Sequence, residues 1–131
     1  MNTAIEINPN YHQGYNKRGD TKTKLKDFKG AIEDLNKAIK LDPTNPSAYN
    51  NRAIAKMGIK DYDGAIIDVE KSIRMDPNNP AVYENAAVIY EAKGDTEKSL
   101  EYYNMSLQKK KSSLLYWPLY KLPTSLAGKL I

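Results

Sequence analysis

Tyr15, Tyr49 and Tyr83 are separated by steps of 34 residues, and so are Asp27, Asp61 and Asp95. That fixed step constrains the fold more than any other feature of the chain. Laid under one another, residues 12–45, 46–79 and 80–113 also align Ala31 with Ala65 and Ser99, and Ala38 with Ser72 and Ser106. Ile39, Ile73 and Leu107 form another column, and Pro9, Pro43 and Pro77 fall on the same step, each preceded by Asp or Asn. A period of roughly 20 to 50 residues marks one supersecondary unit written several times. No single unit buries both its faces, so the units must stack.

Each unit reads as two helices. Asn45 and Asn79 stand where an N-cap belongs, each followed by a proline suited to the first helical turn. From Pro46, Tyr49, Arg52, Ala53 and Lys56 recur at helical spacing, giving one face of Tyr, Ala and the stems of long side chains. "GIKDY" at 58–62 interrupts this pattern; Gly58 weakens the helix end and Asp61 can cap the next helix. Ala65, Val69, Ser72 and Ile73 form the apolar stripe of the second helix, and the small residues Ala53 and Ala65 allow a close approach. Asp76-Pro77 ends it, because proline cannot continue the ladder and restricts the residue before it.

The 34-residue period, the tyrosine of the first helix, the small residues at close contacts and the closing Asp-Pro together resemble tetratricopeptide repeats. The resemblance covers about residues 1–113 and implies an all-α, right-handed solenoid of helical hairpins. Departures are Lys26 and Lys60, where a turn glycine is usual (Gly94 keeps it), and Lys111 in place of the last proline. The second helix of the third copy is therefore expected to run on through "QKKK", whose lysines suit a helix C-terminus.

The resemblance also implies a function: a non-enzymatic interaction scaffold whose first helices line a concave surface. It points to Gln13, Asn16, Lys17, Asp20 and Thr23 in the first repeat, and to Ser47, Asn50, Asn51, Ile54 and Met57 in the second. In the third it points to Ala81, Glu84, Asn85, Val88 and Glu91. Ile54, Met57 and Val88 make an apolar middle that the core between helices is not expected to need. Asn51 and Asn85 share a column, and an amide offers both a donor and an acceptor to a peptide backbone of any sequence. Lys17 breaks that column and could meet a carboxylate instead. Related repeats that clamp a C-terminal carboxylate use Lys and Asn in the first repeat, Asn in the second, and Lys and Arg in the third. The corresponding residues here are Asn16, Asp20, Asn51, Ala81 and Asn85, and only Asn51 matches, which argues against such a clamp.

Both ends depart from the period. Ala4, Ile5 and Pro9 fall in the columns of Ala38, Ile39 and Pro43, so residues 1–10 are expected to close the second helix of a preceding repeat. That reading leaves either a piece of a longer array or an edge that recruits another chain. Residues 114–131 carry Leu114, Leu115, Tyr116, Trp117, Leu119, Tyr120 and Leu122. They fold over the last hairpin, dock on another molecule, or have no evolved role. The alternative function is accordingly self-association as a homo-oligomer through the N-terminal edge and this tail.

Composition excludes more than it selects. Hydrophobic residues at 40% and charged residues at 27% suit a folded domain. Ten tyrosines against one Phe and one Trp suit half-buried, half-wet surfaces. The absence of cysteine removes disulfides and thiolate metal sites and fits a cytoplasmic protein. The net charge of +4 is a weak pointer to nucleic acid, because residues 44–77 and 78–111 are each balanced and no basic face dominates. The N-terminus has no signal-peptide pattern, and no run approaches the roughly 18 to 20 apolar residues of a membrane span. His12, the only histidine, is expected on the surface. Asp61, Asp63, Asp68 and Glu70, interspersed with Lys and Arg, read as solvated charge rather than an acid–base or metal cluster. There is no glycine-rich phosphate loop, and Ser112 and Ser113 have no base nearby in sequence. No cofactor is expected.

Overall fold

A computed structural model describes residue 8 and residues 11–115, with side chains to residue 111. The expectations for residues 1–7, 9–10 and 116–131 lie outside the described residues. Six helices follow one another: α1 His12–Lys24, α2 Phe28–Leu41, α3 Pro46–Gly58, α4 Tyr62–Met75, α5 Pro80–Lys93 and α6 Thr96–Leu115. They form three hairpins, α1–α2, α3–α4 and α5–α6, stacked as an all-α right-handed solenoid.

The helix starts after α1 are capped by side chains at the repeat columns; α1 follows Tyr11 without one. The Asn45 and Asn79 side chains accept from the backbone N–H of Ser47 at 3.0 Å and of Ala81 at 3.1 Å. Pro46 and Pro80 occupy the first turn, where a missing N–H costs nothing. Asp27 and Asp61 cap the second helices through Gly30 and Gly64, and Asp95 accepts from Lys98 N at 3.1 Å. Each cap satisfies an orphan helix donor and contributes about 1 kcal/mol. Between the helices of a hairpin the chain turns through a left-handed residue: Lys26 and Lys60 at φ +65° and Gly94 at φ +99°. α6 runs on past the position where α2 and α4 stop, through the three lysines at 109–111.

The core is narrow and made of small and branched side chains. Ala53, Ala65, Val69, Val82, Ala86 and Ile89 join the second hairpin to the third, and Ala31, Leu35 and Ala55 join the first to the second. Gly19 shows how tight the fit is, since a Cβ there would come within 2.6 Å of the Leu35 side chain. Tyr49 and Tyr83 enter the stack, each hydroxyl donating to the carbonyl six residues earlier, Pro43 at 3.1 Å and Pro77 at 2.8 Å. The joints between hairpins are thereby tied as well as packed.

One sequence expectation fails in the core. Asp68, read as solvated charge, is 2% exposed. It receives Nε and Nη2 of Arg52 at 2.8 and 2.7 Å, and its Oδ2 lies 2.9 Å from Lys56 Nζ. Asp34 repeats the arrangement one step earlier with Arg18 and Lys22. An acid carrying two cations from the facing helix can be buried where an unpaired one cannot. Burial alone would push the Asp34 carboxyl up; the hydrogen bonds from Arg18 and Lys22 outweigh it and hold the group below the usual carboxylate range. Glu70, also read as solvated, is half-buried and accepts from the hydroxyls of Tyr90 at 2.7 Å and Tyr102 at 3.3 Å.

Candidate functional site

The first helices pack directly side by side, α1 against α3 and α3 against α5, whereas α2, α4 and α6 meet chiefly the first helices beside them. A stack closer-packed along one row of helices curves toward that row. The concave surface therefore belongs to α1, α3 and α5, the helices that carry every sequence-selected site residue.

On that surface the asparagines are organised in a way that single columns do not reveal. Asn51 Nδ2 donates to Asn16 Oδ1 at 2.9 Å, and Asn85 Nδ2 donates to Asn50 Oδ1 at 3.1 Å. Asn16 Nδ2 in turn lies 3.3 Å from Ser47 Oγ. Each bond crosses from one first helix to the next, so the amides form a ladder along the surface. All four asparagines are half-buried. An amide has two donor hydrogens and two acceptor lone pairs, and the ladder uses one donor of Asn51 and one of Asn85. The pairs are 35 residues apart in sequence, one more than the repeat step, and that spacing is the signal that could have revealed them.

The remaining selected residues divide into three groups. Lys17 is exposed, and Asp20 pairs with Lys24 one turn on at 3.2 Å. Ile54 is half-buried, and Met57 packs against the Ala53–Val69–Ile89 cluster, so the expectation that Met57 is spare to the core is corrected. Glu84 and Val88 sit at the far end, where Val88 is 53% exposed and Glu84 pairs with Lys110 of α6. They line an open apolar recess of about 740 Å³ between α5 and α6, together with Ala87, Leu100 and Tyr103. His12 is half-buried, with Nε2 3.6 Å from Asp42 Oδ2. Among the described residues no group of three or more His, Cys, Asp or Glu could hold a metal ion, and no helix is long and apolar enough to cross a membrane.

Comparison with known proteins agrees with the fold. Models of tetratricopeptide repeats match residues 19–58, 46–79 and 69–101. The chain belongs to the tetratricopeptide repeat family, whose hairpin stacks are protein-interaction scaffolds and generally not catalysts. Solved structures of MamA have the same fold. One superposes with a TM-score of 0.76 at 23% identity, over 86% of this chain and 66% of that one. MamA from Desulfovibrio magneticus RS-1 gives 0.77 at 19% identity, over 85% of this chain and 63% of its own. This chain thus spans slightly under two thirds of the MamA chains. A comparison with curated protein sequences returns no match.

Proposed function

We propose that this chain is a non-enzymatic interaction module that holds an extended peptide or partner helix along the surface of α1, α3 and α5. The observation that supports the reading best is the amide ladder. It fixes the Asn51 and Asn85 side chains by one bond each and leaves each a carbonyl lone pair and an N–H for a bound backbone. A peptide unit presents the complementary donor and acceptor whatever its sequence, which is how a repeat surface holds an extended chain. Ile54 and Val88 flank the ladder with apolar contact. Lys17 and Asp20 at one end and Glu84 at the other supply charge that selects among sequences.

A displayed library of random peptides, selected on the whole chain, tests this. The enriched peptide should bind the Asn51→Ala, Asn85→Ala variant about tenfold more weakly, the loss expected for two net hydrogen bonds of roughly 0.7 kcal/mol each. Asn16→Ala breaks the same cross-helix bond but keeps Asn51, so it should retain most of the affinity. Equal binding by the double variant and the parent would sink the groove reading.

A further inference from the structure

The recess between α5 and α6 is apolar and, among the described residues, uncovered. The 34-residue step carries Ala53, Ile66 and Val69 of the second hairpin onto Ala87, Leu100 and Tyr103. In the second hairpin these positions are covered by Val82, Ala86 and Ile89 of the next first helix. Ile73 packs against the same cluster, and its counterpart Leu107 is 45% exposed. On α6 the stripe Leu100, Tyr103, Leu107 is thus open where its equivalent on α4 is closed.

We propose that the occupant is the chain's own segment 117–126, which runs back along α6 and closes the stack. Reach permits it. Leu115, the end of α6, lies twelve residues beyond Tyr103, about 18 Å along a helix. Extended chain covers about 3.3 Å per residue, so Leu122 can return to Tyr103. The Trp117 backbone covers about 7 Å of the roughly 12 Å to Leu107, and its indole spans the rest. The chemistry fits. Trp117, Leu119, Tyr120 and Leu122 supply the apolar surface that the stripe lacks.

Charge is complementary too. Residues 116–131 hold Lys121 and Lys129 and no acid, whereas Glu91 edges the recess beside Glu84, which is already paired with Lys110. Trp117 also falls on the step of Tyr15, Tyr49 and Tyr83, of which Tyr49 and Tyr83 enter the stack. Pro118 and Pro123 keep the segment from forming a first helix of ordinary length, so it lies across the face as a strap rather than as a fourth hairpin. The recess shares Glu84 and Val88 with the proposed peptide surface but none of the asparagines of the ladder, so the Trp117 readout and the Asn51, Asn85 test report separately.

Trp117 is the only tryptophan, so its fluorescence in the whole chain reads the strap directly. The expected emission is blue-shifted from that of free tryptophan, with acrylamide quenching reduced severalfold and unchanged on dilution. Tyr103→Glu with Leu107→Glu, both at exposed positions, should shift emission to the red and restore quenching while far-UV circular dichroism stays helical. Ile67→Glu, also exposed but on the second hairpin, should change neither. The proposal is overturned by a solvent-like Trp117 in the parent, by shielding that survives the double substitution, or by equal exposure in the Ile67 variant. Shielding lost on dilution would assign the recess to a second copy's tail and overturn it as well.

Discussion

The second and third hairpins share one backbone plan and fill its central contact with opposite chemistry. Arg52, Lys56 and Asp68 make a buried ion cluster, and one step of 34 residues later the same columns hold Ala86, Tyr90 and Tyr102. Tyr90 and Tyr102 stack with ring centroids 5.3 Å apart at 11°, and both hydroxyls reach back to Glu70. In the ion cluster the guanidinium also lies over a ring, Arg52 at 5.7 Å from the Tyr49 centroid. The first hairpin follows the second, with Arg18, Lys22 and Asp34. The fold therefore requires a filled and satisfied contact, not a particular one. Among the described residues no buried side-chain nitrogen or oxygen lacks a partner in either kind of hairpin.

The two solutions should differ most when one member is removed. Asp68→Ala leaves Arg52 and Lys56, with side chains 19% and 21% exposed, facing each other without their anion. The expected loss is about 3 kcal/mol in urea unfolding. Transplanting the aromatic set, Arg52→Ala with Lys56→Tyr and Asp68→Tyr, removes the same carboxylate but should stay within about 1 kcal/mol of the parent. Asn36, whose Oδ1 now accepts from Arg52 at 3.0 Å, occupies the Glu70 column and can accept from the new hydroxyls. A transplant as damaging as the single substitution would show that the hairpins are not interchangeable.

How much of this was readable beforehand follows from where each cause lies in the chain. Caps and helix ends were legible because each depends on residues within one turn, such as Asn45 with Ser47 or Asp61 with Gly64. The long α6 was legible for the same reason, since no proline stands at 111 to stop it. The left-handed turns at Lys26 and Lys60 were not, since a lysine carries no signal for positive φ. Nor was the burial of Asp68. Taken along α4 alone it is one acid among exposed charges, and its partners Arg52 and Lys56 come from the preceding helix. The 34-step columns Arg18/Arg52, Lys22/Lys56 and Asp34/Asp68 do hold that information, but only when read together. The asparagine ladder was hidden similarly: the amides were chosen by column, while the bonds run between adjacent columns.

Acid and alkali should separate the two kinds of hairpin. Asp34 has a folded-state pKa below its unfolded value, so its contribution is present above about pH 4 and is lost as pH falls through the lowered value. Tyr90 goes the other way. Burial first, and then its hydrogen bond to Glu70, push the phenol well above its usual value. Its contribution is therefore present below about pH 10 and disappears as pH rises through the raised value. In thermal unfolding across pH, Asp34→Asn should flatten the acid limb alone and Tyr90→Phe the alkaline limb alone. Flattening of the same limb by both would contradict the assignment of one limb to each chemistry.

The smallest difference between the hairpins is in their turns. Lys26 and Lys60 hold φ +65°, which crowds a Cβ, while the third hairpin makes the same turn with Gly94 at φ +99°. In each turn the backbone N–H two residues after the helix bonds back into it, as Lys60 N does to Met57 O at 2.9 Å, so the geometry is imposed by the hairpin and not by the lysine. Lys60→Gly should therefore remove strain of roughly 1 kcal/mol, partly offset by the freer unfolded chain, for a net gain of about 0.5 kcal/mol. Gly94→Lys meets no atom within 4 Å, so it should lose about the same amount and no more. A much larger loss there would mean that the third turn is held differently from the other two, and that the likeness of the hairpins ends at their helices.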